Sequence, residues 1–260
     1  MKVYPMIDSN DSNNINKKHL ASLPCRSLLI APSGFGKSSL LGWLLCNSGE
    51  EGYKDDVPSE NIYIFSGSYK KGKGDEKLHK IIKYIDIPEE NIFDTYDNDL
   101  INELYDMICQ NYNERLANNE KVEHSIIIFD DLGFTNRLNK IKLEDDAINK
   151  LMCNSRKFLC SIFILNQRIT QCSPTVITQA NNIILFKPNN RDLEMYESNF
   201  NYLDSKKLFR KMVRKHTENK HDYLVIDLTK NNKEIYRDKN FEPVKFCKCD
   251  KNKNECGGLK

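Results

Sequence analysis

The stretch CRSLLIAPSGFGKSSLLGWLLC (residues 25–46) decides how the rest of the chain is read. Its first part, CRSLLIA (25–31), is a short apolar run ending in a turn, the pattern of a buried strand. Its last part, SSLLGWLLC (38–46), reads as a buried helix. Between them, Gly34 and Gly36 let the backbone curl so that successive N–H groups point at one place. The helix that opens there adds the positive end of its dipole. A strand, a glycine-rich curl and a helix in that order make a cradle for phosphate.

Residues 31–38 match the phosphate-loop pattern in its relaxed form, with Ala31 in place of the first glycine. Ala31, Pro32, Ser33, Gly34, Phe35 and Gly36 form the curl. Lys37 can reach the β- and γ-phosphates and the Ser38 hydroxyl can ligate Mg²⁺, while Ser39 is a neighbouring hydroxyl with no forced role. ATP with Mg²⁺ is the expected ligand. The competing reading is a glycine-rich turn that binds nothing, and the strand before it and the helix after it favour the cradle.

The run SIIIFDD (125–131) supplies the second half of the argument. Nucleotide hydrolysis needs a carboxylate beside the phosphate loop to hold the Mg²⁺ shell, and a base to orient or deprotonate water. A buried strand delivers both at its C-terminal edge, where open α/β sheets bind ligands. Asp130 is the candidate metal residue and Asp131 the candidate base. A third apolar run, CSIFILNQ (160–167), ends in Gln167, which can orient water or sense the γ-phosphate at the same edge.

Outward from these motifs, NIYIFSG (61–67), NIFDTY (91–96) and NIILFK (182–187) read as further strands. Helical patterning covers 76–85, 98–117, 143–157 and most of 190–216, and Pro174 opens a short helix. YLVIDLT (223–229) and KEIYRD (233–238) alternate across a turn and predict a β-hairpin. Apolar strands alternating with helices predict an α/β fold, a mainly parallel sheet covered on both faces. Residues 1–20 are polar and read as a loose arm, 21–240 as the ATPase domain, and 241–260 as a separate Cys/Lys-rich tail.

Taken in order, LLIAPSGFGKSSLL, IIIFDDL, NSRKFLCSIFILNQ and SPTVITQANNIILFK resemble the viral genome-packaging ATPases of the poxvirus type, in the FtsK–HerA superfamily, over about residues 22–190. The acid pair Asp130 and Asp131 with the following leucine looks like that family's acidic motif, and Arg156 like its arginine before the Gln-ended strand. The family often has Arg-His there, whereas Lys157 stands in this chain. The resemblance implies a P-loop three-layer sandwich (RecA/FtsK-like) with an extra strand between the phosphate-loop and acidic strands. It also implies a homo-oligomeric ring, a hexamer or pentamer, that moves double-stranded DNA into a viral capsid through capsid or portal-vertex proteins. In a ring, an arginine from the neighbouring subunit can stabilise transition-state charge, and Arg156, then Arg168, then Arg191 are the candidates.

The net charge of +2 over 260 residues names no partner, so nucleic-acid binding must come from local patches. SYKKGKG carries Lys70, Lys71 and Lys73, and the helix predicted after residue 205 carries Lys206, Lys207, Arg210, Lys211, Arg214 and Lys215. Both suit phosphate contact without sequence reading. Nine cysteines at irregular spacing make a poor disulfide framework and fit a reducing, intracellular compartment, which the viral resemblance implies is the interior of a host cell. Cys247, Cys249 and Cys256 in the tail are one ligand short of a zinc site. No apolar run reaches the ~20 residues that span a bilayer. Other classes fit less well. A small-molecule kinase would carry an Arg-rich lid and an ABC-type ATPase a Ser-Gly-Gly signature, and neither is found, while the Asn-Lys-x-Asp tetrad that a GTP switch uses to read its base occurs at residues 219–222. A helicase or conjugation-type DNA pump keeps the same chemistry and remains the alternative, while a nucleotide-gated scaffold without turnover conflicts with intact Lys37, Ser38, Asp130 and Asp131.

Overall fold

Five apolar runs, four of them buried from end to end, form the middle of the sheet. The computed structural model describes residues 13–69, 76–131, 146–230 and 234–245. β1 (Arg26–Ile30) lies parallel between β5 (Cys160–Asn166) and β6 (Asn182–Phe186). β4 (Ser125–Asp130) pairs with the other side of β5, then comes β2 (Ile62–Ser66), and β3 (Ile92–Phe93) forms one edge. Beyond β6, β7 (Tyr223–Asp227) and β8 (Tyr236–Arg237) run antiparallel, so the expected hairpin closes the other edge. The order of the eight strands is β3-β2-β4-β5-β1-β6-β7-β8. β5 therefore stands between the phosphate-loop strand and the acidic strand, as expected.

Side chains alternate between the faces along each strand, and each face buries a separate core. On one face Leu28 and Ile30 of β1 join Ile127 and Phe129 of β4. They pack against α3 (Asn98–Ala117), α4 (Ala147–Asn154), α5 (Pro174–Gln179), α6 (Asn190–Phe200) and α7 (Lys206–His216). On the other face Leu29, Ile126 and Ile128 pack against α1 (Lys37–Cys46) and α2 (Glu76–Ile85). The two helices touch where α1 carries Gly42, at which a Cβ would sit 2.9 Å from Ile81. The result is a three-layer α/β sandwich.

Several boundaries differ from expectation. Residues 13–20 are not loose. Ile15 and Leu23 exchange backbone hydrogen bonds of 2.9 Å, Leu20 is buried, and Lys17 pairs with Asp56. The tail begins later than 241, because Phe241 stacks on Trp43 and Val244 is buried. One isolated leucine in a polar stretch carries no periodicity, so only the tertiary contact reveals its burial. The helix expected over 143–157 is observed as α4 followed by a 3-10 turn at Ser155–Phe158, and its first residues lie outside those described. The long pattern over 190–216 divides into α6 and α7 because Ser205 caps the second helix, accepting from the Leu208 N–H at 3.2 Å. The basic loop with Lys70, Lys71 and Lys73, and the tail cysteines Cys247, Cys249 and Cys256, also lie outside the described residues.

The described cysteines are free thiols. Burial pushes Cys25 and Cys172 up to about 12, so they act as small core groups.

Phe163 is wholly buried at the centre of β5, with the Tyr53 ring edge-on at 6.1 Å. Phe163→Ala is expected to cost about 3–5 kcal/mol by leaving a cavity between sheet and helices. The shift in urea unfolding midpoint measures this, and a cost below 1 kcal/mol would contradict the packing described.

Candidate functional site

Strand register brings the candidate residues together. Ile30 is level with Asn166, Leu165 with Asp130, and Asp130 with Ser66. All four strands are parallel, so the residues just past their ends leave the sheet at one edge. There Pro32, Ser33, Gly34, Gly36, Lys37 and Ser38 share a cleft of about 310 Å³ with Asp130, Asp131 and Gln167.

The loop has the geometry a phosphate cradle needs. Gly34 has φ 76° and Gly36 has φ 105°, a left-handed backbone that side chains resist. Gly36 caps α1, accepting from the Leu40 N–H, and Lys37 is the first helical residue. The N–H groups of the first helical turn therefore face the cleft without an intrahelical acceptor. Ala31 does not line the cleft; it is buried at the end of β1, and its N–H donates to Asn166 O at 3.0 Å. Phe35 turns its ring toward the α1-side core, and its carbonyl lies 3.1 Å from His221 Nδ1. Ser39 is not among the cleft-lining residues and accepts from Lys77 Nζ at 2.9 Å.

The acids are held by polar neighbours. Asp130 is 7% exposed and accepts from the Ser66 hydroxyl at 3.2 Å, while Ser66 Oγ also lies 2.9 Å from Ser68 Oγ. The Tyr96 hydroxyl bonds the Asp130 carbonyl. Asp131 takes φ 60°, a conformation that aspartate tolerates better than most residues, and its N–H donates to Leu165 O at 2.7 Å. The bend brings its carboxylate to Gln167, whose Nε2 donates to Asp131 Oδ2 at 2.6 Å. Asp131 is 8% exposed, and its Oδ1 is buried with no hydrogen-bond partner among the described residues. Buried acceptors without partners are uncommon, and one on a residue that lines a cleft fits a site awaiting a donor.

Hard oxygen donors suit Mg²⁺, and the Ser38 hydroxyl and the Asp130 carboxylate line the same cleft. The residues present fit the ion. Among the described residues no group of three or more His, Cys, Asp and Glu side chains could hold a metal, so the ion here would depend on Ser38, Asp130 and the phosphates.

The arginines separate. Arg156 sits on the 3-10 turn before β5, and Gln167 follows the end of that strand. At ~3.3 Å per residue the strand holds them roughly 20 Å apart, on opposite sheet edges. Burial, and then the neighbouring Arg156 charge, lower the Arg26 guanidinium at the start of β1, which puts Arg156 at that far edge. Within one subunit Arg156 cannot touch the phosphates. Arg168 is exposed at the near edge beside Gln167, and both it and Arg191 act on the charge of Asp192.

Ser66, Ser68, Tyr96, Lys77 and His221 were not singled out from the sequence for this site; His221 was weighed there only as a fourth ligand for the tail cysteines. Ser66 could have been, because it ends an apolar strand just as Asp130 and Gln167 do. Ser68 follows two residues later, and the others reach the site from remote segments and carry no local signal.

No protein-family model and no curated protein matches the sequence. Solved structures do match the fold. The genome packaging NTPase B204 from Sulfolobus turreted icosahedral virus 2, in complex with sulfate, gives a TM-score of 0.52 at 16% identity, over 82% of this chain and 94% of that one. In complex with AMPPCP it gives 0.51 at 16% identity, over 78% and 92%. The monomer form of the pCW3 conjugation coupling protein TcpA with ATPγS gives 0.52 at 15% identity, over 78% of this chain and 57% of that one. The likeness establishes a shared P-loop α/β fold.

Gly36→Ala is expected to weaken nucleotide binding by at least ~10-fold. A left-handed alanine is strained by roughly 1–2 kcal/mol, and its Cβ would lie 3.3 Å from His221 Nδ1. Titration with a fluorescent ATP analogue checks this, and wild-type affinity would contradict the cradle.

Proposed function

We propose that the chain is an ATP-hydrolysing motor that moves double-stranded DNA into a viral capsid. The observation that carries the hydrolytic part is the convergence, in one cleft, of Lys37 and Ser38 with Asp130, Asp131 and Gln167. In this reading the loop N–H groups and Lys37 hold the phosphates, and Ser38 and Asp130 hold Mg²⁺. The ion supplies charge neutralisation at the phosphate oxygens. Asp131 Oδ1 accepts a proton from the attacking water as its oxygen bonds the γ-phosphorus and the bond to the β-bridging oxygen breaks. Gln167 keeps the Asp131 carboxylate in place through the 2.6 Å contact.

The DNA-packaging part is supported by the order of the motifs and by the fold shared with the genome packaging NTPase B204. The same fold in the conjugation coupling protein TcpA keeps a conjugation-type DNA pump as the second reading. A ring of identical subunits, a hexamer or pentamer, would put each ATP at a subunit boundary. There Arg168 of the same subunit, or Arg156 presented by a neighbour, would face the γ-phosphate. Capsid or portal-vertex proteins would be the docking partners, and the setting would be the host interior where virions assemble. No described helix is long and apolar enough to cross a membrane.

The division of roles is testable with two variants. Lys37→Ala is expected to lower ATP affinity by at least ~10-fold and abolish turnover. Asp131→Asn is expected to bind ATP within a few-fold of wild type and to lose ~10²–10⁴-fold in kcat, the range for a removed general base. Equal loss of affinity in both would contradict the assignment.

A further inference from the structure

The groove between α6 and α7 carries a charge arrangement that the fold itself does not need. Phe209, Met212 and Val213 bury one face of α7. The opposite side presents Lys206, Lys207, Arg210, Lys211, Arg214 and Lys215 to a groove of about 1000 Å³, and Lys187 joins them from the end of β6. The lining holds seven cations against two carboxylates, Glu197 and Glu218. Cations three and four residues apart on a helix repel by a few tenths of a kcal/mol per pair. α7 places such pairs at 206/210, 207/211, 210/214 and 211/215.

Glu197, its side chain 7% exposed, holds Arg210 and lies 3.4 Å from Lys206 Nζ. These contacts draw the Glu197 carboxyl below its usual range. They also tie two cationic heads to one acid, while Lys207 and Arg214 lie exposed along the groove.

We propose that this groove holds the phosphate backbone of duplex DNA. The choice of DNA rests on the motor reading above. One helical turn brings a fresh pair of cations about every 6 Å, a repeat suited to a polyanion with a charge every ~3.4 Å per strand. The lining has no aromatic side chain and a single amide, Asn190, so it holds phosphates and reads little sequence. The groove also lies near the phosphate loop. Lys187 Nζ donates to Glu218 O at 3.0 Å, and the turn after α7 carries His221, which contacts Phe35 O.

The test measures binding of a mixed-sequence DNA duplex to the full chain by fluorescence anisotropy across a NaCl series. The variants are Lys207→Glu/Arg214→Glu and the milder Lys207→Gln/Arg214→Gln, each checked for a wild-type melting curve. The expected result is at least ~10-fold weaker binding in the charge-reversed protein, a smaller loss in the neutral one, and a salt slope reduced by about 2. The loss should be equal on AT-rich and GC-rich duplexes, and DNA-free ATP turnover should stay at the wild-type rate. Wild-type affinity and slope in both variants, with the wild type binding duplex, would overturn the groove and leave the motor reading standing. No duplex binding by the wild type, with groove-dependent capture of polyglutamate instead, would overturn the groove as a DNA site and the motor reading with it.

Discussion

The site depends on the register of four parallel strands. Ser66, Asp130 and Leu165 lie level across β2, β4 and β5, and Ile30 of β1 is level with Asn166, the next residue of β5. Slipping a strand by one residue would turn its core-facing side chains to the other face. The two cores forbid this, because each strand buries alternate residues in one or the other. Core packing therefore sets the placement of Lys37, Asp131 and Gln167 indirectly. None of them holds the sheet together, and all of them are aimed by it.

Local chemistry then spends some of the stability that the cores supply. Two carboxylates, Asp130 and Asp131, are each more than nine-tenths buried, and burying a charge is unfavourable unless it is paired or hydrogen-bonded. Ser66 and Gln167 satisfy one oxygen of each, while Asp131 Oδ1 is left without a partner among the described residues. Asp131 and the two loop glycines also hold left-handed backbone. Strain and unsatisfied polarity gathered at one sheet edge are expected of a site organised for a reacting ligand rather than for maximal stability.

The parts legible in the sequence were those whose determinants are local. The strand, curl and helix of residues 25–46 are contiguous, and the acids of SIIIFDD end an apolar run visibly. The strand inserted between β1 and β4 came from the family resemblance, because spacing alone does not give sheet order. Direction along the strand could have shown Arg156 to be remote: it precedes β5, whose far end leads to Gln167. The contacts of Tyr96, Lys77 and His221 join segments distant in the chain, and so does the burial of Leu20. No periodicity announces such contacts. Residues 190–216 read as mainly helical, but the break before Ser205 depends on one cap.

The central claim is that nucleotide hydrolysis in this cleft is coupled to duplex DNA. The most direct measurement is the steady-state ATPase rate of the full chain with and without long double-stranded DNA, with Lys37→Ala as control. The account predicts a rate that rises with duplex DNA in the wild type and is absent in Lys37→Ala under both conditions. A wild-type rate indifferent to DNA would contradict the motor, and turnover surviving in Lys37→Ala would contradict the site.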